Sequence, residues 1–543
     1  MKKVLAFVFV LVMILSLAAC DKTPAPQETG SPADTAAPAT QKPTTPGSST
    51  PAEETQRPIE TLVVAHKGDP TSLCHLTVTF GSANGPIDCF IYDRLLDYNA
   101  ETNDVEPMLA TKWEFIDDTH IKFTLRDDVV AHDGSPFTAS DVIYTLKTGQ
   151  DSGKLANYYG NFDLAGCEAV DDKTVIIATK SLDPFALYNL SNIPLGMVVE
   201  EAVTNSGTIE DQNLLPDAGT GPYKVVEWIT GSAIKLERNE NYWGETPYYD
   251  FVEIRIITDA SSRVMNLESG TVDVALDPAT AQVELFEGND DFQIINYPTS
   301  QITTMYFNCT TEPFNDVKVR QAIALALDYE SILEVAASAY GTTTDSVFSK
   351  ANSAYAPYDG SSENYFHYDV DAARALLAES NYPNGFTFEL LYMEGATFQA
   401  SAELIQNQLS QIGIKVVPVP TASTAFYELL SAGNFQADIV NSSNPDPAIQ
   451  VKFFDHRVSF ADVRGGTGWQ GPAELDALID QAKSTIDKTE SLKLYAKIQA
   501  IINANCPGIP LYSPNKTCLA DSDILGIRLT EFNDIDLSKA YRG

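Results

Sequence analysis

Glu106-Pro107-Met108-Leu109-Ala110-Thr111-Lys112-Trp113 runs toward Ile121-Lys122-Phe123-Thr124-Leu125-Arg126 and on to His132-Asp133-Gly134-Ser135-Pro136-Phe137-Thr138-Ala139-Ser140-Asp141-Val142. Ile121, Phe123 and Leu125 alternate with Lys122 and Thr124, the period of a half-buried strand. Gly134 and Pro136 then turn the chain out of that strand and into a helix starting near Thr138.

The same alternation of strand and helix continues along the chain. Ile234-Lys235-Leu236, Val252-Glu253-Ile254-Arg255-Ile256 and Phe386-Thr387-Phe388-Glu389-Leu390 read as strands. Asp316 reads as the N-cap of a helix that places Val319, Ala322, Ile323 and Ala326 on one face. Ala402, Ile405, Leu409 and Ile412 follow helical spacing and stop at Gly413; residues 414–419 then read as the strand that helix feeds. Leu475, Leu478, Ile479, Ala482 and Ile486 mark a further amphipathic face. The class is therefore α/β, and the 543 residues are enough for more than one core.

The N-terminus reads differently. Lys2 and Lys3 precede an apolar run over residues 4–15, and Leu17-Ala18-Ala19-Cys20 closes it. This is the anatomy of a signal peptide, too short for a stable membrane span. Its ending resembles a bacterial lipobox, which implies that Cys20 carries a lipid and becomes the mature N-terminus. Residues 1–20 are thus read as the signal and residues 21–58 as a tether. That tether holds eight Pro, eight Thr and six Ala and no aromatic, Val, Ile, Leu or Met, so it has nothing to bury.

Charge excludes several functions. Against 35 Lys and Arg stand 74 Asp and Glu, a formal net charge of −39. Nucleic-acid binders need clustered basic charge to displace counterions, and a polybasic membrane-surface protein needs the same excess. No Gly-x-Ser-x-Gly elbow, P-loop, His-Glu-x-x-His or Cys-x-x-Cys occurs, so no catalytic residue, metal ligand set or cofactor is assigned. Gly466-Thr467-Gly468-Trp469-Gln470-Gly471 matches Gly-x-Gly-x-x-Gly, but Trp469 fills the space a pyrophosphate would need and Pro472 follows; it reads as a loop. Beyond Cys20 six cysteines remain. They form local bridges (Cys74 with Cys89, Cys506 with Cys518) or stay as buried thiols.

Further motifs follow the opening stretch in a fixed order: Gly219-Thr220-Gly221-Pro222-Tyr223, Arg238-Asn239-Glu240-Asn241-Tyr242-Trp243, Leu267-Glu268-Ser269-Gly270-Thr271-Val272-Asp273, Pro313-Phe314-Asn315-Asp316-Val317-Lys318-Val319-Arg320-Gln321-Ala322-Ile323 and Ile509-Pro510-Leu511-Tyr512. Over residues 60–543 this set resembles the family 5 extracellular solute-binding proteins, the oligopeptide-, dipeptide- and nickel-binding lipoproteins of ABC importers. The resemblance implies a two-lobed periplasmic-binding-protein-like clamp (type II, with an extra subdomain on lobe I). Lobe I would span 59–303 and lobe II 304–512, with 513–543 returning to lobe I. It also implies hinge closure on a small solute, delivery to an ABC permease and its ATPase subunits, a place on the outer face of the cytoplasmic membrane through the lipid anchor alone, and no enzymatic step.

The ligand is read from the segments that match the family's cleft. Peptide binders of the family hold the ligand's α-amino group with an aspartate shortly before an Asp-Pro. Here Asn441-Ser442-Ser443-Asn444-Pro445-Asp446-Pro447 stands at that place, and Ser443 occupies the aspartate position. A serine hydroxyl cannot pair with an ammonium; Asp446 either substitutes or caps the helix running toward Phe453. Thr79, Gly81 and Ser82 match the first-lobe cleft loop. Trp469 either stacks on a sugar or aromatic group or packs over the helix at Glu474. The cleft segment has no histidine for nickel, and His367 and His456, the nearest in sequence, read as surface residues. The expected ligands are Thr79, Gly81, Ser82, Asn441, Ser443, Asp446 and Trp469, and the expected solute is a peptide or related compound. Alternatives are an oligosaccharide or metal chelate in the same clamp, or a sensor or surface lipoprotein without transport.

Overall fold

The computed structural model of the chain describes residues 60–78, 83–99, 102, 104–183, 185–214, 216–360, 363–443, 446–530 and 534–543. The signal peptide, Cys20, the tether and the loop with Thr79, Gly81 and Ser82 lie outside the described residues.

Two mixed sheets organise the molecule. The first takes Thr61–His66 (β1), Tyr223–Ile229 (β2), Ala233–Arg238 (β3), Phe251–Ile256 (β4), Val274–Leu276 (β5) and Phe292–Tyr297 (β6). The second takes Gln301–Phe307 (β7), Gly341–Thr342 (β8), Thr387–Met393 (β9), Lys415–Thr421 (β10), Ala437–Ser443 (β11) and Gly508–Pro514 (β12). Lys516–Asp521 (β13) returns to the first. The strand orders are β6-β13-β5-β1-β4-β3-β2 and β8-β12-β7-β11-β9-β10. The chain thus passes between sheets twice, at 298–300 and at Asn515.

The stretch from Glu106 to Val142 builds a smaller sheet beside the first. His120–Leu125 pairs with Ala110–Phe115 and Thr174–Ala178, and Glu168–Asp171 completes four antiparallel strands. Ile121, Phe123 and Leu125 are buried as their alternation requires. Gly134 takes φ +95°, a conformation that favours glycine, and Thr138 with Asp141 forms a capping box opening the helix Ala139–Ser152. This sheet shares one core with β3 and β4 through Phe123, Val175, Ile234, Leu236 and Ile254.

The second sheet has its own core. Its central strand β7 is buried along all but its first residue, which is what helices on both faces demand. β9, the helix Ala396–Ser410 and β10 form a parallel β-α-β unit, with Gly413 at φ +83° just past the helix. Asp316 caps the helix Val317–Ala326 by accepting from the Lys318 amide at 2.9 Å. Ile486 departs from its expected helix: Ala473–Lys483 ends before it and Asp487 opens the next one, leaving Ile486 39% exposed.

Arg320, on an otherwise apolar helix, is 2% exposed. Its guanidinium donates to the carbonyls of Phe314 (2.7 Å) and Asn505 (3.1 Å), the latter ending the helix Lys488–Asn505. A cation at a helix C-terminus meets carbonyls that have no helical partner. Arg320→Met keeps an apolar stem but orphans both carbonyls. Urea unfolding should read a loss of about 2–3 kcal/mol.

The cysteine bridges are not made. Cys74, Cys506 and Cys518 are free, buried thiols, which removes both local pairs. Burial pushes the Cys74 and Cys518 thiols up to about 12; such thiols are inert toward exchange.

Candidate functional site

The site grows from three neighbouring strands of the second sheet. Thr303 on β7 faces Asn441 on β11 and Tyr512 on β12. Strand pairing therefore sets a polar row across the sheet beside both passages of the chain. The Thr303 hydroxyl donates to Asn441 Oδ1 at 2.7 Å, and Tyr512 is 2% exposed.

A cavity of about 220 Å³ opens over this row, lined by Asn441, Tyr512 and Thr397 from the second sheet and its helices, and by Asp277 and Lys516 from the first. Tyr340 spans the two sides. It precedes β8, packs into the small core of Ala65, Leu267, Val283 and Leu519 on the first sheet, and donates to Glu287 at 2.8 Å.

Charge at the cavity floor is internally matched. Lys516 Nζ lies 2.8 Å from Asp277 and 3.0 Å from Asp534, and Lys67 lies 2.9 Å from Asp277. Burial opposes ionisation of Asp277, but Lys516 and Lys67 outweigh it and hold the carboxyl well below its usual range. Burial likewise opposes the charge on Lys516, and Asp534 and Asp277 outweigh it, raising its pKa. This cluster fixes the strand that returns at Asn515.

The expected ligands fall in three places. Asn441 lines the cavity. Ser443 ends β11, opposite Gln301. Asp446 caps the helix Pro447–Val451, accepting from the Ala448 amide at 2.7 Å, and burial, then the charge of Asp183, push its pKa up to about 7. Trp469 is 7% exposed and belongs to the second core. A Cβ on Gly471 would come within 3.1 Å of the Trp469 ring and 2.7 Å of Leu475, so that glycine lets the ring lie against the helix Ala473–Lys483. The Gly466–Gly471 stretch is a loop. His367 is exposed. His456 lies 3.6 Å from Asp476; with Asp455 these three bring ligand atoms within 4.8 Å of one another. Arg457 already clamps both Asp455 oxygens (2.8 and 2.9 Å) and Lys483 stands 3.8 Å away, so the group reads as an ion-pair network.

Sequence reasoning did not single out Tyr512, Thr397, Tyr340, Asp277 or Lys516 as cavity residues. Tyr512 had a signal, because Ile509-Pro510-Leu511-Tyr512 is the last motif before the return passage. Asp277 and Lys516 lie far apart in sequence, and nothing local marks them as partners.

The other motifs converge on a structural knot. The Asp93 carboxylate accepts from Trp243 Nε1 (2.7 Å), the Thr220 hydroxyl (3.0 Å) and the Tyr242 hydroxyl (3.2 Å). Burial outweighs these bonds and pushes its pKa up to about 6. The Gly221 amide donates to the Ile91 carbonyl at 2.9 Å, and Cβ atoms on Gly219 or Gly221 would lie 2.3 and 2.6 Å from that backbone; the approach requires glycine.

Known proteins share this architecture. The family model for bacterial extracellular solute-binding proteins, family 5 Middle, matches residues 104–458. Heme-binding protein A of Haemophilus influenzae is 28% identical, over 78% of this chain and 81% of its own length. Glutathione-binding protein GsiB of Pectobacterium atrosepticum is 28% identical, over 76% and 82%. The structure of HbpA2 from Haemophilus parasuis superposes with a TM-score of 0.79 at 23% identity, covering 89% of this chain and 100% of that one. Among the described residues no helix is long and apolar enough to cross a membrane. The matched segment is well over half of the sequence, and the chain belongs to the bacterial extracellular solute-binding proteins of family 5.

Proposed function

We propose that this chain is the solute-binding lipoprotein of an ABC importer, which captures peptides or related amide compounds by closing two lobes and hands them to a membrane permease served by ATPase subunits. The observation that carries this reading is the cavity at the two passages, lined from both sheets. The first sheet and its four-stranded neighbour form lobe I, the second sheet lobe II, and residues 513–543 return to lobe I. The sequence boundaries at 303/304 and 512/513 fall inside β7 and β12. A solute that touches both lobes only when they meet drives closure. Moving such a clamp from about 1% to 99% closed takes on the order of 5.5 kcal/mol of differential binding. Asn441 and Thr397 offer hydrogen bonds to amide groups. No covalent step is involved. Cys20 carries the lipid that keeps the body on the outer face of the cytoplasmic membrane.

The relative named for glutathione, itself a tripeptide, supports the peptide reading. The relative named for heme supports a second one, a metal chelate in the same cleft.

A thermal-shift screen separates them. A pool of short peptides should raise the midpoint by several degrees, since ligand at about a hundred times its Kd adds about 2.7 kcal/mol. A rise with hemin and none with peptides would put the chelate first. Thr397 is exposed on the first turn of its helix. Thr397→Trp should weaken peptide binding about tenfold or more by filling the cavity, with intrinsic stability within about 0.5 kcal/mol of wild type. Calorimetric titration and urea unfolding read the two effects separately.

A further inference from the structure

The charges around the cavity leave nothing over for a solute. Among the described residues that line it, Lys516 and Asp277 alone are ionised. Lys516 Nζ bridges Asp277 (2.8 Å) and Asp534 (3.0 Å), and Lys67 stands 2.9 Å from Asp277. Burial opposes all this charge, yet Lys516 and Lys67 keep Asp277 ionised, and Asp534 and Asp277 keep Lys516 so. Two cations and two anions cancel. Tyr340 and Tyr512 also line the cavity, and burial lifts both phenols, Tyr340 to about 12, so neither is charged near neutral pH.

The remaining polar lining is neutral: Asn441, Asn515, Thr280, Thr397 and Thr517. Strand pairing fixes how Asn441 presents itself. β7 and β11 set Thr303 opposite it, and the Thr303 hydroxyl gives its one proton to Asn441 Oδ1 at 2.7 Å. The two N–H donors of the Asn441 carboxamide are then left without a partner among the described residues. Asn515, on the return passage, lines the cavity too, and its Oδ1 has no hydrogen-bond partner among the described residues. At about 220 Å³ the cavity is smaller than the roughly 300–1,000 Å³ that encloses a whole drug-sized ligand. It takes one group of the solute, not all of it.

We propose that this cavity is a subsite for one uncharged amide of the solute, a peptide bond or a blocked end, and that Asn441 donates to its carbonyl oxygen. The hydroxyls of Thr280 and Thr397 and the carboxamide of Asn515 are acceptors for the N–H of such a group. A charged end fits worse. A free carboxylate would be a third anion beside two cations, and a free ammonium a third cation beside two anions. Either would leave water without gaining an unmatched partner. The inference rests on the peptide reading above and adds a specificity to it: peptides whose charged ends are blocked or held clear of the cavity.

Equilibrium dialysis against the chain as purified tests this with an alanine–leucine dipeptide in four forms: zwitterion, N-acetylated, C-amidated, and blocked at both ends. Both ends of a dipeptide adjoin its single peptide bond, so no charge can be held clear of the cavity. The doubly blocked form should be retained at least about tenfold better than the zwitterion, since burying an unpartnered charge costs that much or more. Asn441→Leu removes the donors and should weaken retention of the blocked form about tenfold. Asn441→Asp keeps the shape and the bond from Thr303 but adds an unmatched carboxylate. It should reverse the preference, retaining the C-amidated form with its free amine about tenfold better than the doubly blocked one. A merely structural loss reverses no preference, and urea unfolding checks that both variants fold. Equal or better retention of the zwitterion by the wild-type chain would overturn the uncharged subsite and leave the peptide reading intact. A preference that Asn441→Asp does not reverse and Asn441→Leu does not weaken would overturn the assignment to this cavity. If no dipeptide form is retained while the peptide pool of the thermal-shift screen binds, this inference falls alone; if neither binds, the peptide reading falls with it.

Discussion

Asp93→Leu is expected to destabilise the body by about 2–4 kcal/mol, seen as a lower urea midpoint. The carboxylate is buried and is the shared acceptor for Trp243, Thr220 and Tyr242. Leucine leaves those donors facing an apolar side chain, and each one that water cannot reach costs about 1–3 kcal/mol. Tyr242 and Trp243 are only half-buried, which keeps the total below the sum of three. The effect also depends on pH. Asp93 has its pKa raised to about 6 in the folded chain, so the folded state holds its proton more tightly than the unfolded one. Stability from this group is therefore greatest in acid and falls as pH rises from about 4 to about 6. Asp93→Asn cannot ionise and loses that slope. Its deficit against wild type should shrink by about 2 kcal/mol between pH 4 and pH 7. A deficit that stayed constant across that range would show that Asp93 titrates normally.

Lys516→Met should cost about 3–5 kcal/mol, because it leaves Asp277 and Asp534 short of the cation that bridges them. Lys67 remains beside Asp277 but does not reach Asp534 within 4 Å among the described residues. The pH dependence has the opposite sign to that of Asp93. Asp277 has its pKa depressed, so its contribution is present above the unfolded carboxylate value near 3.8 and is lost as pH falls below it. Lys516 has its pKa raised, so its contribution persists up to the ordinary lysine range and is lost only above it. The wild-type chain should therefore lose stability below about pH 4 more steeply than the Met variant. Since the cluster floors the cavity, the variant should also bind solute more weakly, which titration at neutral pH would read.

The α/β class was legible because alternation at Ile121–Leu125 and helical spacing at Val319–Ala326 are local signals that burial confirms. Gly134, Thr138 and Asp316 were legible for the same reason: each acts on amides within a few residues. Ile486 was misplaced because its spacing fits the face of Ala473–Lys483, while the Asp487 cap ends that register. The cysteine pairs looked plausible from spacing alone, but Cys506 ends a helix of the second sheet and Cys518 lies on a strand of the first. At the site, Asn441 lines the cavity and came within reach of the sequence because it opens the segment before Asp446-Pro447 that matches the family's cleft. Asp277, Lys516 and Tyr340 could not be placed, because what joins each to its partners is the crossing of two sheets, which no window of sequence contains.

The most direct test of the account is a distance measured across the two bodies. Spin labels at Thr489 and Glu114, both exposed and lying on opposite bodies, report their separation by pulsed electron resonance with and without the retained peptide. The account predicts a broad or longer distribution without peptide that collapses to one short, narrow distance at saturation, and a smaller change in Thr397→Trp. The same distribution with and without bound peptide would contradict closure by ligand, and with it the proposal that this chain works as a solute-capturing clamp.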